Sequence, residues 1–181
     1  MRRALVIAGA QTQVVSLWKV DDEATRVLMV KFYELWNPKE GKGLPELCAE
    51  MESYVAAGFR AVKMKVGWIG VTLKHDAERV RAVREAIGPD IALMVDANNA
   101  WDAKTALKFG RMVEQYDPYW FEEPVTSEDH DGYRDLCEAL DMNIAGGEGE
   151  FTRWGFRDFI QKRCVDVLQP EVCGLGGITE Y

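Results

Sequence analysis

Two lysines stand two residues apart in the stretch AVKMKVGW, Lys63 and Lys65, and three carboxylates recur downstream at equal steps of 26 residues, Asp96, Glu122 and Glu148. Side chains of an extended chain alternate in direction, so Val62, Met64 and Val66 share one face while the two lysines share the other. Such a face is either washed by solvent or aimed at something that needs two cations. Solvent is the poorer explanation, because the apolar runs that follow show no polar face. Three carboxylates held together repel one another unless a cation neutralises them. Oxygen ligands with no His or Cys nearby suit a hard ion, Mg²⁺ above all, with Mn²⁺ as the alternative. Any one of these carboxylates alone would more often cap a helix or pair with a surface lysine; three in step favour the metal. Two adjacent ammonium groups lower each other's pKa, which fits one of them to act as a base near neutral pH. A base beside a metal that grips a carboxylate points to abstraction of the proton α to that carboxylate, with the metal stabilising the enediolate.

The elements that must position these groups follow a rhythm. The run LPELCAEMESYVAAG predicts a helix ending at Gly58, whose missing Cβ permits a left-handed cap. The lysine strand follows it. LKHDAERVRAVREAIG predicts a second helix stopped by Gly88, then IALMVDAN a strand ending at Asp96. Helices around DAKTALKFGRMVEQY, YRDLCEALD and RWGFRDFIQKR alternate with the strands YWFEEP, NIAGGE and VDVLQPE. Five alternations with apolar strands predict an α/β fold, its parallel strands covered on both faces and joined by helical crossovers. The carboxylates fall at the C-terminal strand ends, where parallel α/β folds build their active sites.

Residues 1–36 have a different character. ALVIAG and VVSLWKV predict two strands, and DDEATRVLMVKFYELW predicts a helix capped by Asp21 or Asp22. The polar NPKEGKG stretch, residues 37–43, predicts a linker before the periodic part, residues 44–181.

Composition narrows the partners. A net charge of −8 over 181 residues argues against an electrostatic grip on nucleic acid or anionic lipid. No apolar run approaches the ~20 residues that span a bilayer. The start MRRALVIAGAQTQ is too short in its apolar core for an export signal. Cys48, Cys137, Cys164 and Cys173 form no C-x-x-C pair. They predict reduced, mostly buried thiols in a cytoplasmic protein. His75 and His130 lie in or before helices and predict surface residues.

The motifs KMK, VDANNAW, WFEEP, GGE and LQPEVCGLGGITE occur in the order and spacing of the barrel domain of the enolase superfamily, and the chain resembles its mandelate racemase and acid-sugar dehydratase branch. The resemblance implies part of a (β/α)₈ barrel, about five βα units long, and a Mg²⁺ held by Asp96, Glu122 and Glu148. It implies Lys65 as the base, and Lys63 as the helper that lowers its pKa and touches the substrate carboxylate. Asn98 would support the first ligand; Glu123 would stand behind the ligands or serve as an ion-pair partner. Glu171 takes the place of an aspartate that, in this branch, works with a histidine on the next strand. That histidine would lie past Tyr181, and the lid domain and the remaining barrel strands have no match. The resemblance therefore implies a carbon–oxygen lyase or racemase acting on a sugar acid, most simply a dehydratase, expected to be inactive as this chain alone. The alternative is a non-catalytic module that keeps the metal site. Open barrel edges predict a chain that is marginally stable or self-associates. Residues 1–36 resemble the C-terminal part of CHAT domains, relatives of caspase-like peptidases, without that family's His and Cys.

Overall fold

A computed structural model describes residues 43–179; the strand–strand–helix segment and nearly all of the linker expected before them lie outside the described residues. The order is α1 (Leu44–Ala56), β1 (Ala61–Lys65), α2 (Leu73–Ile87), β2 (Ala92–Asp96), α3 (Ala103–Val113), a 3₁₀ turn (Glu114–Tyr116) and β3 (Trp120–Glu122). It continues through α4 (His130–Ala139), β4 (Asn143–Gly146), α5 (Thr152–Gln161), β5 (Val167–Leu168) and α6 (Val172–Leu175). The strands form one sheet in the order β1-β2-β3-β4-β5, parallel at every pairing. The α/β rhythm in the sequence is therefore the fold, an arc of five βα units.

Local signals set the boundaries. Thr72 and Asp102 cap α2 and α3 by accepting the amides of His75 and Thr105, satisfying donors that a helix start leaves free. Gly88 ends α2 at φ +78°, a conformation that side chains resist. Helix α4 starts earlier than its apolar pattern suggests, because Asp129 accepts the Gly132 amide and fixes the cap there.

The two sheet faces differ, which corrects the expectation of strands covered on both sides. Val62, Met64, Leu93, Val95, Phe121 and Ile144 are buried beneath the helices. The opposite residues of β1, Ala61, Lys63 and Lys65, are exposed, and Met94 and Trp120 are half-buried. The strands read as apolar because Met94, Trp120 and Ala145 are apolar residues on the open, concave side. Under the helices Phe109 stacks 4.8 Å from Trp101 and 5.5 Å from Phe121, ring centroid to centroid. Gly110 of α3 lies so close to Leu140 that a Cβ would come within 2.5 Å of Leu140 Cδ1. This tight layer fixes the strand ends.

Candidate active site

The register of the ladders places the charged groups. Lys65 pairs with Asp96, and Asp96 with Glu122, so all three project from the C-terminal edge onto the concave face. Lys65 Nζ donates to Asp96 Oδ2 at 2.5 Å. Lys63 Nζ donates to both Glu122 oxygens, at 2.7 and 2.8 Å, and stands 3.4 Å from Asp96 Oδ2. Trp120 Nε1 adds a bond to Glu122 Oε2 at 2.9 Å. The carboxylate side chains are only 4% and 3% exposed, whereas the lysines reach them from a mouth where they are 40% and 45% exposed. Buried carboxylates thus have their charge met by ammonium groups at the rim.

Lys63 is the more heavily paired of the two lysines. Burial lowers its pKa, but the hydrogen bond and charge of Glu122, together with Asp96, outweigh that, and the ammonium sits above the ordinary lysine value. Carboxylates, not the neighbouring lysine, dominate its surroundings.

Glu148 does not end its strand. The residue level with Glu122 on β4 is Ala145, and Glu148 lies two residues past the strand in an exposed turn. Its carboxylate lies against Glu123, which is 2% exposed. Burial and the charge of Glu148 push Glu123 up to about 7. Asn98 and Asn99 each donate a side-chain amide to Glu123 Oε2, at 2.9 and 3.1 Å. The backbone amide of Asn98 meanwhile holds Asp96 Oδ1 at 2.9 Å. Asn98, Asn99 and Glu123 all adopt positive φ, 48°, 64° and 42°. Asparagine tolerates that region, but glutamate adopts it only when the surroundings over-determine it. Asn98 and Glu123 therefore support the strand ends as a connected pair, and Asn99 joins them. The doubled Asn in VDANNAW carried that signal.

Glu171 stands three residues past the end of β5 at Leu168. It caps α6, accepting the Gly174 amide at 2.6 Å, and is exposed. His75 is exposed as expected, but His130 is not a free surface residue. Its Nε2 lies 2.9 Å from Glu150 Oε1 and its Nδ1 lies 3.4 Å from Asp158 Oδ2, with the side chain 15% exposed. Of the thiols, Cys137 and Cys164 are driven by burial to about 12 and about 11, which leaves them unreactive. Cys173 is exposed, against expectation. No helix among the described residues is long and apolar enough to cross a membrane.

Asp96 and Glu122 set carboxylate oxygens against the two ammonium groups, and Glu123 and Glu148 lie against each other; oxygen-only donors of this kind suit a hard divalent cation. Among the described residues, no three of His, Cys, Asp and Glu already stand together as a metal cage.

A parallel arc with acidic residues and paired lysines at its C-terminal strand ends is the site architecture of a barrel enzyme, and the chain belongs to the enolase C-terminal domain-like family, whose profile matches residues 46–181. A CHAT domain profile matches residues 1–47. The chain is 34% identical to arabinonate dehydratase of Saccharolobus solfataricus, over 99% of its own length and 50% of that enzyme's. It superposes on the 3,6-anhydro-D-galactonate cycloisomerase of Zobellia galactanivorans with a TM-score of 0.72 at 43% identity, covering 76% of this chain and 38% of that one. It also superposes on L-talarate dehydratase of Polaromonas sp. JS666, crystallised with Mg and L-glucarate, with a TM-score of 0.73 at 34% identity, covering 77% of this chain and 38% of that one. The chain thus spans about half the length of these relatives or less.

Proposed function

We propose that this chain carries the metal-and-lysine part of an acid-sugar dehydratase site, in which Lys65 takes the proton α to a substrate carboxylate. The observation that carries this reading is the register that sets Lys65, Asp96 and Glu122 side by side on the concave face, with both lysine heads at its mouth. Asp96, Glu122 and Glu148 would hold the Mg²⁺, with Mn²⁺ as a substitute. When bound, the cation would supply positive charge against the negative charge that develops on the substrate carboxylate as the α-proton leaves.

The chain's own residues do the rest. Lys65, released from Asp96, can reach the α-carbon and take its proton. Lys63 stays cationic and binds the substrate carboxylate. Asn98, Asn99 and Glu123 hold the loop ends in place. Complete dehydration also needs an acid for the departing β-hydroxyl. Among the described residues the candidates are engaged elsewhere, Glu171 in capping α6 and His130 with Glu150. The reaction this chain supports by itself is therefore exchange of the α-proton with solvent on the Lys65 face, without turnover to a dehydrated product.

The test is calorimetric titration with Mg²⁺, followed by NMR of a panel of sugar acids in deuterium oxide. Glu122→Gln should lower Mg²⁺ affinity at least tenfold, and Lys65→Ala should remove metal-dependent exchange. Metal binding without exchange in the parent would favour the non-catalytic alternative. Equal affinity in parent and Glu122→Gln would place the metal elsewhere.

A further inference from the structure

Lys65 sits at the end of an edge strand among the described residues, and its main chain is held from outside the sheet. The Val66 amide donates to Asp96 O at 2.9 Å and Arg60 O accepts from the Ala92 amide at 3.0 Å, so the even-numbered residues of β1 turn their backbone groups toward β2. By the period of two, the Lys65 carbonyl faces away from β2, toward the open edge. It meets Arg79 there, whose Nη1 donates to it at 3.1 Å. The same Nη1 donates to Asp76 Oδ1 at 2.7 Å, and Asp76 Oδ2 accepts the Gly67 amide at 2.8 Å. Asp76 is fully buried and Arg79 only 17% exposed. Gly67 itself has no slack: at φ +77° a Cβ would come 2.6 Å from Ala100 Cβ, in the loop that follows Asp96.

We propose that Asp76 and Arg79 are positioning residues for Lys65, a buried ion pair on α2 that clamps the main chain on either side of Val66 and so aims the Lys65 ammonium at Asp96. The proposal rests on the reading of Lys65 as the proton-abstracting residue. A buried carboxylate is costly unless it is fully bonded. Asp76 spends both oxygens on the clamp, one on Arg79 and one on the turn immediately after β1. Among the described residues Lys63, two residues earlier, has no such bracket, and it reaches across to Glu122 instead. The clamp should therefore act on one lysine and not on the other, which a merely stabilising ion pair would not do.

The test uses the full chain with ¹⁵N-labelled lysine, its ammonium signals assigned through Lys63→Ala and Lys65→Ala. In the parent, the Lys65 ammonium paired with Asp96 should give a signal distinct from that of exposed lysines such as Lys74. In Asp76→Asn and in Arg79→Gln that distinct Lys65 signal should be lost into the exposed group while the Lys63 signal holds. Arg79→Lys, which keeps the charge, should restore it in part. An unmoved Lys65 signal in variants whose amide spectra stay native would overturn the proposal, as would equal movement of both lysines. Unfolding of both Asp76→Asn and Arg79→Gln would also overturn it, leaving the pair a structural strut. These readings need no substrate. Lys65→Ala leaving α-proton exchange intact would therefore sink the proposed function while the clamp itself could still be seen.

Discussion

The two faces of the sheet solve opposite problems with neighbouring residues of the same strands. Beneath the helices, Val62, Val95, Phe121 and Ile144 lose their water to close packing, and little there depends on pH or ions. On the concave side, residues one step away gather carboxylates and meet their charge in two ways. Asp96 and Glu122 have ammonium partners, while burial and the charge of Glu148 push the Glu123 carboxyl well above its ordinary value. The covered face supplies stability. The open face holds charge that the packed face makes rigid, a division suited to binding a cation and a carboxylate without collapsing around them.

The largest effect should come from the covered face. Phe109→Ala removes a fully buried ring that stacks on Trp101 and Phe121, and should destabilise the chain by about 3–5 kcal/mol in denaturant melts. Mg²⁺ affinity of the fraction that stays folded should hold within about twofold if the faces divide their roles this way. A large loss of affinity in the folded fraction would show that the packed face tunes the site directly.

Next in size is a pH dependence from the open face. Glu123 holds its proton in the folded chain up to about 7, whereas an unfolded glutamate releases it near its ordinary 4.5. The folded chain therefore binds more protons between these values. The contribution is fully present below 4.5 and is lost as pH rises through about 7, on the order of 3 kcal/mol in all. The stability difference between the parent and Glu123→Gln should be flat below about 4.5, fall as pH rises through the window, and be flat again above about 7. A parent whose stability relative to Glu123→Gln does not change from pH 4.5 to 8 would break the comparison.

The smallest effect concerns Lys63. Its side chain is 40% exposed, so solvent screens the pair, and Lys63→Met should cost only about 1 kcal/mol of stability. The same change removes the ammonium that competes for Glu122, and Mg²⁺ affinity should rise by roughly threefold or more. Weaker metal binding in Lys63→Met would mean that the lysine helps to hold the cation site rather than occupying it.

Much of this was legible in the residue order because the periods involved are local. Alternation of two put Lys63 and Lys65 on one face, and glycine marked the end of α2 at Gly88. Regular spacing brought Asp96 and Glu122 to the strand ends, and the ladder set them level. The same spacing misplaced Glu148, because β4 ends at Gly146 and the turn beyond it carries the carboxylate to Glu123. It also misjudged His130, whose partner Glu150 depends on how loops fold back.

What the sequence determined by itself is the parallel α/β arc and the row of charge along its rim, since those follow from side-chain direction along a strand and the stop signals of helices. What only the tertiary structure decided is which charge answers which. Lys63 reaches past Asp96 to Glu122, Glu123 is left to share its surroundings with Glu148, and Asp76 anchors Gly67 and Arg79. Hydrogen bonds and ion pairs act over about 3 Å, and burial sets how much each is worth. Residues 59 positions apart, as Lys63 and Glu122 are, come within that range only when the strands between them pack in register.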